Sequence, residues 1–118
     1  MAKKLKSIFT DRMNQCIVTH ALTGVEIHHV FGGANRKLSE KYDFCVPLHR
    51  SVHPNGAYRT DKNWLELDHW LKRKCQEYYI EIAHYGDRDA FYREFGRFWD
   101  DRCDENVYLN KTFEWRLK

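Results

Sequence analysis

Two short histidine clusters constrain the fold of this chain more than any other feature of its sequence. His28 and His29 are adjacent in an apolar run that favours a strand, residues 25–31. Successive strand side chains point to opposite faces, so these two rings cannot do the same job unless the strand twists or ends there. His49 and His53 stand at i and i+4, which places both on one face if the segment is a helical turn. The fold therefore determines which of these four rings can act together.

The four rings have the composition of a metal site with a proton acceptor beside it. A metal ion needs converging neutral imidazoles, and His28, His49 and His53 can supply three. His29 then remains as a general base. An ordinary imidazole, with a pKa of about 6.5, can accept a proton from water near neutrality.

These residues also carry a resemblance to a known family. Glu26-Ile27-His28-His29, a glycine-rich connector and His49-Arg50-Ser51-Val52-His53 resemble the HNH endonucleases of the ββα-metal, or His-Me finger, superfamily. The HxxxH ending is similar to the nuclease domains of DNase colicins. The segment HHVFGGANRKLSEKY is similar to small HNH proteins encoded by bacteriophages. The resemblance covers residues 16–58 and continues more weakly through the following helix to residues 95–97.

The resemblance implies an enzyme that hydrolyses DNA phosphodiester bonds. His28 would be the first ligand of one divalent ion, and His49 and His53 would be the remaining ligands. His29 would be the general base that activates the attacking water. The implied products carry a 5′ phosphate and a 3′ hydroxyl.

Two further roles follow from the same resemblance. Glu26 matches a colicin-type glutamate that holds an arginine near the scissile phosphate, and three arginines are candidates for that partner: Arg12, Arg36 and Arg50. The middle Asn of the motif, which orients the base histidine, falls near Asp43, with Asn35 as the alternative.

The expected cofactor is one divalent metal ion. We expect Mg²⁺ or Mn²⁺ first, with Ni²⁺ or Zn²⁺ as alternatives. The choice among these ions stays open, since imidazoles suit Mn, Ni and Zn whereas Mg is usually bound by oxygen. A structural zinc is not expected. The cysteine and histidine pairs of phage-type HNH domains here read Cys16-x-x-Thr19 and His49-x-x-Val52, so half of the ligands are missing. An irregular zinc site is the alternative, built from Cys16, His20, Cys45 and His49.

Composition and charge limit the other classes of protein. A chain of 118 residues with 42% hydrophobic residues fits a single globular domain. There is no apolar run of membrane-spanning length and no apolar signal core at the start, so we expect no membrane partner and a soluble protein of the cytoplasm of a bacterial or phage-infected cell. Four unpatterned cysteines agree with a reducing compartment. A net charge of +3 does not by itself indicate nucleic acid.

The pattern along the chain predicts an α+β domain. Residues 16–18 are predicted to pair with the strand at residue 25 as the ββα-metal hairpin. A long amphipathic helix follows from Thr60 or Asp61 to residue 83, and Asp87 is predicted to cap a second helix over residues 88–95. The single domain, 1–118, thus contains a core motif at 16–58, a helical part at 60–98 and a terminal β-hairpin at 106–118.

The terminal hairpin and the substrate leave alternatives open. The hairpin either extends the core, which we favour, or offers an edge for a partner or a homodimer. DNA is the expected substrate, with RNA as an alternative. A rival function is an HNH-fold binding module that grips DNA or a protein without cutting.

Overall fold

The computed structural model describes residues 4–99 as an α+β fold with one two-stranded antiparallel sheet and three α-helices. In chain order the elements are β1 (Val25–His29), α1 (Arg36–Lys41), β2 (Cys45–His49), α2 (Trp64–Tyr78) and α3 (Arg88–Phe95). A 3₁₀ turn, Gly33–Asn35, precedes α1, and a π-helical turn, Tyr79–Ala83, continues α2. The predicted hairpin at 106–118 lies outside the described residues. Within the described part of the chain no helix has the length and apolarity needed to cross a bilayer.

The strand that pairs with β1 is β2, and the predicted partner at residues 16–18 is not a strand. The Cys16 N–H donates to the Ala21 carbonyl and the Cys16 carbonyl accepts from the His20 N–H, so this segment closes a loop on itself. Its backbone groups are therefore unavailable to β1. A single bond from the Ile17 N–H to the Pro47 carbonyl ties the loop to β2.

The α2 helix begins later than its capping pattern predicts. The N–H groups of Thr60 and Asp61 both donate to the Ser51 carbonyl, which holds these residues in the loop after β2. Asp61 instead accepts from the Asn63 N–H, and the helix begins at Trp64. The predicted apolar stripe is confirmed as core, with Leu67, Leu71, Cys75 and Tyr78 buried.

The predicted cap of α3 is confirmed. The Asp87 carboxylate accepts from the Ala90 N–H at 3.0 Å, and the helix ends at Gly96, whose φ of +83° favours glycine. This helix presents Phe91 and Phe95 to an aromatic core that also contains Phe31 and Phe44. Through these rings the loop after β1 packs against α3.

Candidate functional site

One face of β1 brings two of the four histidines together. Alternation along the strand places Glu26 and His28 on the same face. His53 lies on the turn after β2, and its Nε2 is 3.1 Å from His28 Nδ1. The two rings meet edge to face with centroids 4.8 Å apart. Two imidazole nitrogens from different elements therefore converge on one point.

Glu26 sets the orientation of the His53 ring. Its Oε1 lies 2.8 Å from His53 Nδ1. An ionised carboxylate can only accept, so the hydrogen is on Nδ1 and the Nε2 lone pair is directed toward His28. A carboxylate behind a histidine in this way is the arrangement that orients metal-binding imidazoles in many proteins.

The other nitrogen of His28 has no hydrogen-bond partner. His28 is only 2% exposed, and among residues 4–99 its Nε2 is a buried polar atom without a partner. One oxygen of Asp68, Oδ1, lies 4.0 Å from this nitrogen, and Lys72 Nζ contacts both oxygens of that carboxylate at 2.7 and 2.6 Å. Burial, followed by the nearby charges of His53 and Lys72, lowers the pKa of His28 to about 3. The ring is therefore neutral, and its contact with Asp68 is not an ion pair.

A neutral His28 has one ring hydrogen and cannot satisfy both of its neighbours. With the hydrogen on Nδ1, the ring donates to His53 but turns a lone pair toward Asp68. With the hydrogen on Nε2, the ring faces Asp68 favourably, but two lone pairs then oppose each other across 3.1 Å. A cation between them removes that repulsion, and two nitrogens bound to one metal ion lie about 3.0 to 3.4 Å apart. The histidine site, defined here as Glu26, His28, His53 and Asp68, thus fits a divalent ion held by two imidazoles.

His29 lies on the opposite face and has a partner of its own. Its Nε2 is 2.9 Å from Glu40 Oε2 on α1, and Arg36 Nε is 3.9 Å from the same oxygen. The carboxylate requires the hydrogen on Nε2, which leaves the Nδ1 lone pair free to accept a proton. The ring is therefore held in the tautomer that a general base needs.

The structure does not bring His49 to the other two predicted ligands. His49 is the last residue of β2 and pairs with Val25, so it shares the face of His29. Its Nδ1 lies 2.7 Å from Ser51 Oγ. One helical hydrogen bond, from the His53 N–H to the His49 carbonyl, does form, but the strand conformation of His49 turns its ring away. Within residues 4–99, no set of three or more His, Cys, Asp or Glu side chains is arranged to hold a metal ion.

The predicted orienting residues lie elsewhere. The Asp43 carbonyl accepts from the Ile8 N–H, and the residue lines a cavity with the N-terminal segment. Asn35 donates to the Phe95 carbonyl at 3.3 Å and so ties the 3₁₀ turn to α3. Arg36 pairs with Glu40, whereas the residue that Glu26 contacts is His53.

The residues of the alternative zinc site are spread over the molecule. Cys16 is buried, and its Sγ accepts from the N–H groups of Val18 and Thr19 at 3.4 and 3.3 Å. Cys45 is buried near Cys75, whose pKa is raised first by burial and then by the neighbouring Cys45 thiol.

Two acidic residues at the site are absent from the predictions. They are Glu40, for which no role is predicted, and Asp68, which falls within the predicted long helix. A signal for Asp68 existed: it lies between the buried Leu67 and Leu71 on the apolar side of α2, where an ionised side chain is unusual. No comparable signal singles out Glu40, because its role depends on how the glycine loop folds back.

Comparison of the chain with family models, curated proteins and solved structures gives no match. The assignment of a function therefore depends on the geometry of the site and on the motif.

Proposed function

We propose that this protein is a metal-dependent endonuclease that hydrolyses DNA phosphodiester bonds, with an HNH-like division of labour between its histidines. The observation that carries the proposal is the pair of facing nitrogens, His28 Nδ1 and His53 Nε2, at 3.1 Å, with the unpartnered His28 Nε2 behind them. An ion bound at His28 Nδ1 would place the ring hydrogen on the buried Nε2, so that an N–H and not a lone pair faces Asp68 Oδ1 at 4.0 Å.

His28 and His53 would hold the ion, and Glu26 and Asp68 would keep both rings in the required tautomers. The site reaches the surface at Glu26, whose side chain is 38% exposed. Mg²⁺ or Mn²⁺ is the expected ion, and Ni²⁺ or Zn²⁺ the alternative. When bound, such an ion offsets negative charge on the phosphate and on the departing oxygen.

The proton transfer falls to His29. Its Nδ1 would take a proton from the attacking water while Glu40, on the other ring nitrogen, stabilises the charge that develops on the imidazole. Water would attack phosphorus and the bond to the 3′ oxygen would break. The departing 3′ oxygen would take a proton from solvent water, leaving a 5′ phosphate and a 3′ hydroxyl. Arg36, 67% exposed beside Glu40, is placed to contact a phosphate.

The test is plasmid nicking by purified protein with Mg²⁺, Mn²⁺, Ni²⁺, Zn²⁺ or EDTA. One site cuts one strand, so nicked circles are the expected product. His29→Ala should slow nicking by about 10²- to 10⁴-fold while leaving metal binding intact, because it removes only the base. His53→Ala should abolish both nicking and metal binding.

A matched control is His20→Asn. His20 is an exposed histidine with a φ of +63°, a conformation that Asn tolerates, and the substitution should leave nicking unchanged. If no ion supports cleavage of plasmid, single strands or RNA while DNA is still bound, the nuclease proposal is wrong and the binding-module alternative replaces it.

A further inference from the structure

Two arginines stack on two aromatic rings in the segment that runs from the end of β2 to the first residue of α2. Arg50 Cζ lies 5.5 Å from the centroid of the Tyr58 ring, and Arg59 Cζ lies 4.2 Å from that of Trp64. We call these four residues the arginine–aromatic platform. Tyr58 is 62% exposed, which leaves room for a second planar group on its ring.

Backbone hydrogen bonds hold this platform beside the histidine site. The Ser51 carbonyl accepts from both Thr60 and Asp61, closing the loop at its base. Arg59 Nη1 donates to the Pro54 carbonyl at 2.7 Å, which fixes the guanidinium. At Gly56 an added Cβ would lie 2.9 Å from the His53 Cβ, so the loop packs directly against the proposed metal ligand. The platform is therefore preorganised next to the reacting centre.

No carboxylate among residues 4–99 pairs with the two guanidinium groups of the platform. Within the described part of the chain neither Arg50 nor Arg59 forms an ion pair, whereas three other arginines each pair with an acidic residue: Arg36, Arg73 and Arg93. Positive charge that lies on aromatic rings and not on acids remains available to an anionic partner.

We propose that the arginine–aromatic platform binds unpaired nucleotides, so that the substrate of the site is DNA that is single-stranded next to the cut. This inference rests on the proposed nuclease function. An exposed ring stacks on the face of a base, and flanking arginines contact the phosphates, which is how single strands are bound without a sequence code. In a duplex the base faces are already stacked, and Tyr58 would have only backbone to contact.

The test is fluorescence anisotropy with a labelled single strand, the matching duplex and a duplex with an internal unpaired bubble. EDTA is present, so binding is measured without cleavage. Tyr58→Ala should weaken binding to the single strand and the bubble by about 10-fold and leave duplex binding nearly unchanged. Tyr58→Phe should retain wild-type affinity because the ring remains. Tyr85→Ala is the matched control, since Tyr85 is 92% exposed and lies after the π-helical turn.

The arginines give a second, independent readout. Arg50→Gln and Arg59→Gln should each reduce the slope of log affinity against log salt for the single strand by about 0.7, the value for one lost phosphate contact. Thermal unfolding of the Tyr58 and Arg50 variants should match the wild type because both side chains are exposed, whereas Arg59→Gln also loses the hydrogen bond to the Pro54 carbonyl.

The outcomes separate this inference from the nuclease proposal. Metal-dependent nicking together with a Tyr58→Ala effect that is absent, or equal on duplex and single strand, overturns the platform and leaves the nuclease. Single-strand binding that depends on Tyr58 but no cleavage with any ion supports the platform and overturns the nuclease. A protein that neither binds nor cuts nucleic acid overturns both.

Discussion

Two regions of this molecule hold ionisable side chains that are partly or fully buried, Glu94 at 28% exposure and His28 at 2%, and the regions differ in how the polar atoms are satisfied. In the glutamate cluster, Glu94 Oε2 accepts from the hydroxyls of Tyr42 and Tyr79 at 2.5 and 2.6 Å, and Lys41 Nζ lies 3.7 Å from the other oxygen. In the histidine site, the buried Nε2 of His28 has no partner among the described residues.

The pKa values express the same difference. Burial alone raises the pKa of Glu94, but the hydrogen bonds from Tyr42 and Tyr79 outweigh it and lower the pKa. In the histidine site nothing offsets burial, and the pKa of His28 falls to about 3. The glutamate cluster is a completed network that joins α1, α3 and the π-helical turn. The histidine site leaves one buried ring nitrogen without a partner among the described residues, which is why our proposal assigns function to the second region and stability to the first.

The largest expected effect is on the free energy of unfolding. Phe91 is fully buried beside the glutamate cluster and stacks on Phe95 at 4.6 Å. Phe91→Ala should lower the free energy of unfolding by about 3 to 5 kcal/mol, measured by urea denaturation. The adjacent Tyr92, 53% exposed, is the control, and Tyr92→Ala should change it by less than about 0.5 kcal/mol. Equal losses from both variants would mean that α3 is not packed as described.

The second prediction separates the two members of the HxxxH pair. His53→Ala removes one of two converging nitrogens and should weaken Mn²⁺ binding by more than about 100-fold, a larger loss than an outer-shell residue produces. His49→Ala removes a ring on the other face and should change the affinity only a few-fold. Isothermal titration calorimetry measures both. Equal losses would show that His49 joins the site, as the motif predicts.

This pair of histidines also shows how far sequence reasoning reaches. The alternation of a strand predicts that His28 and His29 face opposite sides, and the structure confirms it. The same reasoning misplaces His49 because its ring direction depends on whether the residue ends the strand or begins the turn, and a shift of one residue reverses the face. The helical periodicity of apolar residues predicts α2 and α3. No periodicity in the sequence indicates which segment pairs with β1. Residues 16–18 and 45–49 are both short apolar segments, and only tertiary contacts select the second.

The contacts of Glu40 and Asp68 could not be predicted for a related reason. Both carboxylates reach histidines that are distant in sequence, and the geometry depends on how the glycine loop and α2 fold back on β1. No local period encodes such a contact. The motif therefore identifies the histidines, and the fold identifies what holds them.

The third prediction concerns Asp68, as a residue that positions His28. Asp68→Asn should weaken Mn²⁺ binding by about 10- to 100-fold, because the acceptor facing the His28 Nε2–H loses its charge. Glu94→Gln should leave the Mn²⁺ affinity unchanged and instead reduce the free energy of unfolding by about 1 to 3 kcal/mol. If Glu94→Gln changed the Mn²⁺ affinity, or if Asp68→Asn left it unchanged, the two regions would not differ in the way described.

The last prediction is a difference in pH dependence, small at each step of pH, measured by urea denaturation in EDTA. The pKa of His28 is lowered from 6.5 to about 3 in the folded state, so between these values the unfolded chain binds a proton that the folded chain does not. Stability from this group is complete above pH 6.5 and is lost as the pH falls toward 3, by at most about 1.4 kcal/mol per pH unit. His28→Leu removes this slope and retains an apolar side chain in the buried site. Glu94, whose pKa is lowered from 4.5, contributes stability that is lost only as the pH falls below that value, and Glu94→Gln should therefore flatten the profile in the more acidic range alone. A wild-type profile that His28→Leu leaves unchanged between pH 6 and 4 would show that the His28 ring is protonated and partnered in the folded protein, and the contrast between the two regions would then disappear.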